Sequence, residues 1–369
     1  MGSTLGAMPS IRMRPEIAAL QPYRQGKPAP ADAYKLSSNE NPFPTHPDVL
    51  AAIDRAEFNR YPDGSATALR ERIAGRHSVN PGEVHIGHGS VSILYQFAQA
   101  VAGPGDEIIY AWRSFEAYPG MATVSGATSV TIPLRPDATH DLDAMAAAVT
   151  ERTRMVLVCT PNNPTSEIVE ADEFAEFMTK IPADVLVVLD EAYREFVTDP
   201  ASVTGETVLG RYPNLVVLRT FSKAYGLAGL RIGYALGPEE ILDAARATAI
   251  PLTLTEHGQR AALAALDVET ELLGRVQTLL ARRDRIVDGI RELGVWIPRA
   301  QGNFIWLETG EQTQAAEEVL EKHGVVGRPT PPDGIRVTIG EEESVDRLLA
   351  ALAELVPLLP RAAEMPRLG

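Results

Sequence analysis

The chain has 369 residues, 45% hydrophobic and 22% charged, with a formal net charge of −15. That length and composition suit a globular protein of two domains with a large core, and the acidic balance repels phosphate backbones, which argues against nucleic-acid partners. One cysteine, Cys159, rules out an internal disulfide and fits a reducing compartment, the cytoplasm; set in an apolar run, it reads as a buried, inert thiol.

The opening stretch MGSTLGAMPSIRMRP has no continuous apolar segment, so no secretory signal is expected. It reads as a loose arm or an expression remnant. No stretch approaches the roughly 18 apolar residues of a membrane span, so no membrane partner is expected. Strands are expected at Val84–Ile86, Glu107–Tyr110, Val130–Leu134, Met155–Cys159, Val185–Leu189, Val216–Leu218 and Ile232–Leu236. Several are continuously apolar, as strands buried on both faces are. Helical spacing falls between them, at Ser92–Val101, Leu142–Val149 and Ala171–Ile181. This alternation predicts an α/β domain around a mostly parallel sheet. Beyond about residue 254 the texture changes. Glu269–Leu293 holds a helical period long enough to bridge two domains, through Leu272, Leu273, Val276, Leu279, Leu280, Ile286 and Ile290. Strands at Asn303–Leu307 and Gly334–Ile339 and a helix at Ser344–Leu355 follow, which predicts a smaller α+β domain. The expected division is an arm (1–39) lying on or near the small domain, a large domain (40–275) and a small domain (276–369).

Four motifs carry chemistry. In Arg219 to Arg231 a buried strand ends, and hydroxyls, Lys223, small residues and an arginine follow. Active sites of open α/β sheets lie at strand carboxyl ends. A lysine there forms a Schiff base when its surroundings depress its pKa. Ser222 and Arg231 suit an oxyanion such as phosphate. Alone, Lys223 would read as a surface lysine in a polar loop; its neighbours reverse that. Asp190 closes the apolar run Val185–Leu189, where a carboxylate is costly unless paired. A pyridinium nitrogen would suit it; a helix cap or a Walker-B-like metal ligand are the plain alternatives. No phosphate-binding Gly-x-x-x-x-Gly-Lys-Ser/Thr loop accompanies it, and no metal site is expected. Thr160–Thr165 follows a strand and on its own is a Pro/Asn turn. Gly87–Ser92 joins a strand to a helix, whose first amides bind phosphate. It lacks the third glycine of a dinucleotide fingerprint. His88 reads as a structural loop histidine.

Together these motifs resemble the fold-type I aminotransferases that use pyridoxal 5′-phosphate (PLP), specifically the histidinol-phosphate and aromatic branch. The resemblance runs from about Leu36 to Gly340, and RTFSKAYGLAGLRIGY is its most specific stretch. SSNENPF, GSVSIL, WRSFEAYP and PNNPTSEIV are most similar to actinobacterial aromatic (phenylalanine) aminotransferases. The resemblance implies a large domain with a mostly parallel seven-stranded sheet flanked by helices, plus a smaller C-terminal α+β domain. It implies ping-pong transfer of an amino group between an aromatic amino acid and 2-oxoglutarate, both small-molecule partners. Lys223 would carry PLP and shuttle the proton, Asp190 would pair with the ring nitrogen, and Tyr193 and Asn163 would hydrogen-bond the ring oxygen. Phe115 would stack on the ring. Ser90, Val91, Thr220, Ser222 and Arg231 would surround the phosphate, with Tyr61 reaching in from the partner of a homodimer. Arg336 would bind the substrate α-carboxylate, with Arg328, Asn39 and Tyr23 nearby. Two positions depart from most relatives: Ser166 replaces a glycine and Gly327 a valine. The rivals are histidinol-phosphate aminotransferase, a PLP decarboxylase or C–S lyase, and the sensor domain of a transcriptional regulator. The last lacks room for a DNA-binding domain in residues 1–35.

Overall fold

The computed structural model describes residues 11–23 and 25–360. The first ten residues of the expected loose arm lie outside the described residues. Seven strands form one sheet, in the spatial order Val84–His88, Ile232–Leu236, Leu215–Thr220, Leu186–Asp190, Thr153–Cys159, Glu107–Trp112 and Thr128–Pro133. Only Ile232–Leu236 runs against its neighbours; every other pairing is parallel.

The continuously apolar runs are the interior strands, and Leu186–Asp190 and Leu215–Thr220 are buried along their whole length. Side chains alternate across the sheet with period two. Val156, Val158, Val187, Leu189 and Val217 therefore enter one core, with Phe174 and Phe177 of the Ala171–Lys180 helix. Met155, Leu157, Val188, Val216 and Leu218 enter the other, under Leu94 and Phe97 of the Gly89–Val101 helix. Edge strand Thr128–Pro133 is half-exposed and carries no continuous apolar run.

A second, three-stranded antiparallel sheet is made by Arg328–Thr330, Gly334–Thr338 and Phe304–Leu307. The Glu269–Glu292 helix packs against the Glu342–Leu355 helix of this smaller domain. Its apolar stripe is buried from Leu272 to Ile290. The buried Arg283 guanidinium on the same helix donates to the carbonyls of Phe196 and Gly302. Within the expected arm, Arg14 donates to the carbonyls of Thr123 and Val124. Tyr34 and Lys35 pair in parallel with Val325 and Val326, and Lys27 bridges Glu317 and Glu321.

Several expectations need correction. Strands run on past the apolar runs into polar ends: His88, read as a loop histidine, closes the first strand, and Asp190 and Thr220 close two others. Backbone pairing, not side-chain polarity, decides where a strand stops. Helices Pro47–Ile53, Thr67–His77, Glu239–Ala247, Glu256–Asp267 and Thr313–Lys322 and the short Arg328–Thr330 strand were not anticipated. Thr67–His77, for one, buries only Leu69, Ile73 and Ala74, too little for a clear stripe.

Candidate active site

Asp190, Lys223 and Asn163 lie at or just beyond the carboxyl ends of parallel strands. Asp190 is buried at the end of its strand. One of its oxygens, Oδ2, accepts a hydrogen bond from the Tyr118 hydroxyl at 2.8 Å. The other, Oδ1, is buried with no partner among the described residues. Burial pushes this carboxyl up to about 6. A buried carboxylate oxygen without a donor is costly, so the site suits a ligand that donates a proton or hydrogen bond there.

Lys223 lies three residues beyond the end of the neighbouring strand. Its Nζ donates to the Ser38 carbonyl at 3.2 Å and stands 5.7 Å from the centre of the Tyr193 ring. Burial, then the Arg336 charge, bring the amine down to about 7. An amine so depressed is largely neutral near physiological pH and can act as a nucleophile.

Two domains supply the next layer. The buried Tyr193 hydroxyl accepts from Asn39 Nδ2 at 2.9 Å, and its ring meets Phe304 edge-on. Asn39 has a left-handed backbone (φ 52°) and is held on both sides by Thr338: its amide donates to Oγ1, and its Oδ1 accepts from the same hydroxyl. Arg336 donates to Asn163 Oδ1 at 2.5 Å and to the Ser37 carbonyl at 2.7 Å. Its buried Nε has no partner among the described residues. Burial lowers the pKa of this guanidinium.

At the other end stands the N-terminus of the Gly89–Val101 helix, which no side chain caps. Its free first amides, including those of Ser90 and Val91, attract an anion. Arg231 donates to Ser222 Oγ at 3.3 Å and to the Ala228 carbonyl at 3.0 Å. The Ser222 amide donates to Thr220 Oγ1. Gly89 (φ +75°) and Gly233 make the close approach possible. A Cβ on the first would collide with the Arg231 guanidinium, and one on the second with the Ser90 amide nitrogen.

Phe115 is half-buried and packs edge-on against Tyr118. Tyr61 stands apart, 82% exposed. Tyr23 is 67% exposed, 5.9 Å from the Arg328 guanidinium. Arg328 forms an ion pair with Glu116. Ser166 keeps a left-handed backbone (φ 67°), and its Oγ accepts from the Gly302 amide, so the departure from glycine gains a tie. At Gly327 a Cβ would press on Ile335. Cys159 is buried, its thiol pushed up to about 12 by burial, in keeping with an inert role.

Sequence reasoning missed the roles of Tyr118 and Glu116. Both lie in WRSFEAYP, but only the fold brings Tyr118 under Asp190. It also missed Asn41, whose side-chain amide donates to the carbonyls of Lys223 and Ala224 and pins that loop.

The Asp190 geometry has a pH signature. In an unfolded chain an Asp titrates near 3.9, below its folded value of about 6. Stability from this group is therefore fully present below about pH 4 and is lost as pH rises through about 6. The ligand-free Asp190→Asn variant is expected to be more stable than the ligand-free parent at pH 7–8, by on the order of 3 kcal/mol. The advantage should shrink to nothing near pH 4. Chemical denaturation across pH reads it, and an advantage independent of pH would show that Asp190 is not held against its charge.

Comparison with known proteins agrees with this geometry. Residues 31–352 match the family described as aminotransferase class I and II. An aromatic amino acid aminotransferase of Streptomyces coelicolor is 49% identical over 350 residues, covering 94% of this chain and 98% of that protein. Its counterpart in Streptomyces avermitilis is 50% identical, covering 92% and 96%. The crystal structure of Sinorhizobium meliloti histidinol-phosphate aminotransferase in complex with pyridoxal-5′-phosphate superposes with a TM-score of 0.84 at 27% identity, covering 94% of this chain and 98% of the other. A seven-stranded, mostly parallel sheet, a lysine and an aspartate at adjacent strand ends, and a family match across most of the chain converge on one assignment: the chain belongs to the class I and II aminotransferases.

Proposed function

We propose that this protein is a PLP-dependent aromatic amino acid transaminase, with 2-oxoglutarate as the partner oxo acid. The observation that carries the reading is Asp190, a buried carboxyl with one unpartnered oxygen, on the strand beside the one that leads to Lys223. PLP offers a carbonyl carbon, a ring nitrogen that can take a proton, and a phosphate. The chain offers a near-neutral amine, a half-partnered carboxyl, and an arginine beside an uncapped helix N-terminus. The residues fit the group. When bound, PLP supplies an electron sink for charge developing at the substrate α-carbon.

In this reading Lys223 holds the cofactor and then moves the proton at the α-carbon. Asp190 Oδ1 would hold the ring nitrogen, with Oδ2 kept by Tyr118. Tyr193 and Asn163 would hold the ring oxygen, and Phe115 would pack on the ring. Ser90, Val91, Ser222 and Arg231 hold the phosphate, with Thr220 orienting the Ser222 amide. Arg336 forks onto the substrate α-carboxylate; Asn39, Tyr23 and Arg328 line the substrate side. The division into arm (1–39), large domain (40–275) and small domain (276–369) cuts the Glu269–Glu292 helix, making it the link between domains.

The assembly is a homodimer in this reading. Tyr61, Phe58, Ile250 and Leu252 are all exposed, and their two stretches of chain come together where Phe58 packs on His257 and Gln259 donates to the Asp63 carbonyl. Exposed apolar clusters of this kind favour an interface. A cytoplasmic location is proposed on the single buried thiol; no described helix is long and apolar enough to cross a membrane. A second reading, histidinol phosphate as amino donor, draws on the neighbouring arginines Arg328 and Arg336, which could receive a phosphate.

Three measurements test these assignments. Borohydride reduction of the PLP-loaded protein is expected to fix the cofactor to the peptide containing Lys223; a label on another lysine overturns its role. In single half-reactions, phenylalanine and tyrosine should exceed histidinol phosphate in kcat/KM by at least roughly tenfold, about 1.4 kcal/mol. The reverse order would favour the second reading. Sedimentation should show a dimer, and Tyr61→Phe should lower PLP retention; a monomer that keeps PLP fully would remove Tyr61 from the site.

A further inference from the structure

The mouth of the site holds a charge arrangement that the roles above leave unused. The loop after strand Glu107–Trp112 carries Arg113 and Glu116, and the hairpin of the small domain carries Arg328, Asp333 and Arg336. Two ion pairs of opposite sense cross between them. Arg113 meets Asp333, while Glu116 meets Arg328 through Nη2–Oε2 at 2.5 Å and Nε–Oε1 at 3.3 Å. Arg328 and Arg336 face each other in antiparallel register, so both guanidiniums leave one face of the hairpin. Both line a crevice shared with Glu116 and Asn163.

Asp333 cancels Arg113. Of the remaining charges, Arg328 and Arg336 are positive and Glu116 is negative. Among the described residues the crevice therefore keeps one net positive charge, which matches one carboxylate. An aromatic amino acid presents its α-carboxylate to Arg336 and has no second anion. A dicarboxylic acid brings another carboxylate toward Arg328, where Glu116 already sits and repels it. Side chains so largely withdrawn from water are weakly screened, so the repulsion is felt.

We propose that Glu116 determines substrate specificity: by holding Arg328 in an ion pair it favours aromatic monocarboxylic substrates, and a dicarboxylate must displace it to bind. This rests on the transaminase reading above. Glu116 acts through Arg328 and is a positioning residue. The arrangement still admits 2-oxoglutarate, whose distal carboxylate takes Arg328 once the glutamate yields it.

The test uses PLP-loaded protein and two acids that lack an amino group, glutarate and 3-phenylpropanoate, titrated calorimetrically. In Glu116→Gln the ratio of the two dissociation constants is expected to move toward glutarate by at least tenfold, about 1.4 kcal/mol. Glu116→Asp, which keeps the charge, should restore a ratio within about threefold of the parent. Adding Arg328→Met to Glu116→Gln should erase the shift, because Arg328 is the group that meets the second carboxylate. A ratio unmoved in Glu116→Gln, or moved equally in Glu116→Asp, overturns the role of Glu116 alone. Parent protein that binds neither acid overturns the transaminase reading with it.

Discussion

A carboxyl group held at the end of a buried strand shapes most of what surrounds it. Asp190 cannot turn to solvent, because its strand is covered on both faces and its backbone is paired on both sides. The chain satisfies half of it: Tyr118, carried on the helix after the Glu107–Trp112 strand, donates to one oxygen. The other oxygen has no partner among the described residues, and burial pushes the carboxyl up to about 6. Natural cores rarely leave such a group unsatisfied unless a ligand completes it. Lys223 shows the opposite shift for the same cause, an amine pushed down by burial and by nearby guanidiniums. A titratable pair whose environments drive its members in opposite directions marks the chemical centre of the molecule.

Beneath this centre lies a second buried charge cluster with a structural task. Arg219, next to the end of its strand, reaches Glu191 at 2.8 Å, Glu206 at 2.7 Å and Glu195 at 3.4 Å. Glu191 also accepts from the Gly205 amide. These bonds hold the segment leaving Asp190 against the strand that leads to Lys223. Asp190 closes its strand and Lys223 follows three residues after the end of the next, and the polar network behind them ties the two segments together. Such a cluster is worth more as a register pin than as a source of stability, since desolvation offsets much of its Coulomb attraction.

The substrate side is built differently. No single element makes it. Arg336 comes from the small domain, Asn163 from a turn after a central strand, and Asn39 and the Ser37 carbonyl from the arm. The arm reaches there because it is stitched to the small domain through Tyr34 and Lys35. The site therefore joins residues of three separate stretches of the chain, whereas Asp190 closes one strand of a sheet and Lys223 follows the neighbouring strand.

Composition and local pattern were enough to declare much of this. The continuously apolar runs could only be strands buried on both faces, and their alternation with helical stretches left a parallel sheet as the economical packing. Asp190 was legible because it breaks a strong local rule, a charge closing an apolar run, whereas Lys223 and Arg231 were legible only through the motif around them. Tyr118, Asn41 and Glu116 broke no rule: a tyrosine, an asparagine and a glutamate in loops or helix starts look ordinary, and their partners lie 72, 182 and 212 positions away along the chain. The sequence by itself thus determined the sheet and the burial of Asp190, because burial and periodicity are local properties of a strand, while Lys223 was marked by the motif around it. Which side chain completes Asp190, and which carboxylate neutralises Arg328, was decided only by the tertiary structure, because a hydrogen bond or ion pair depends on a few ångströms between segments whose separation in sequence says nothing about their separation in space.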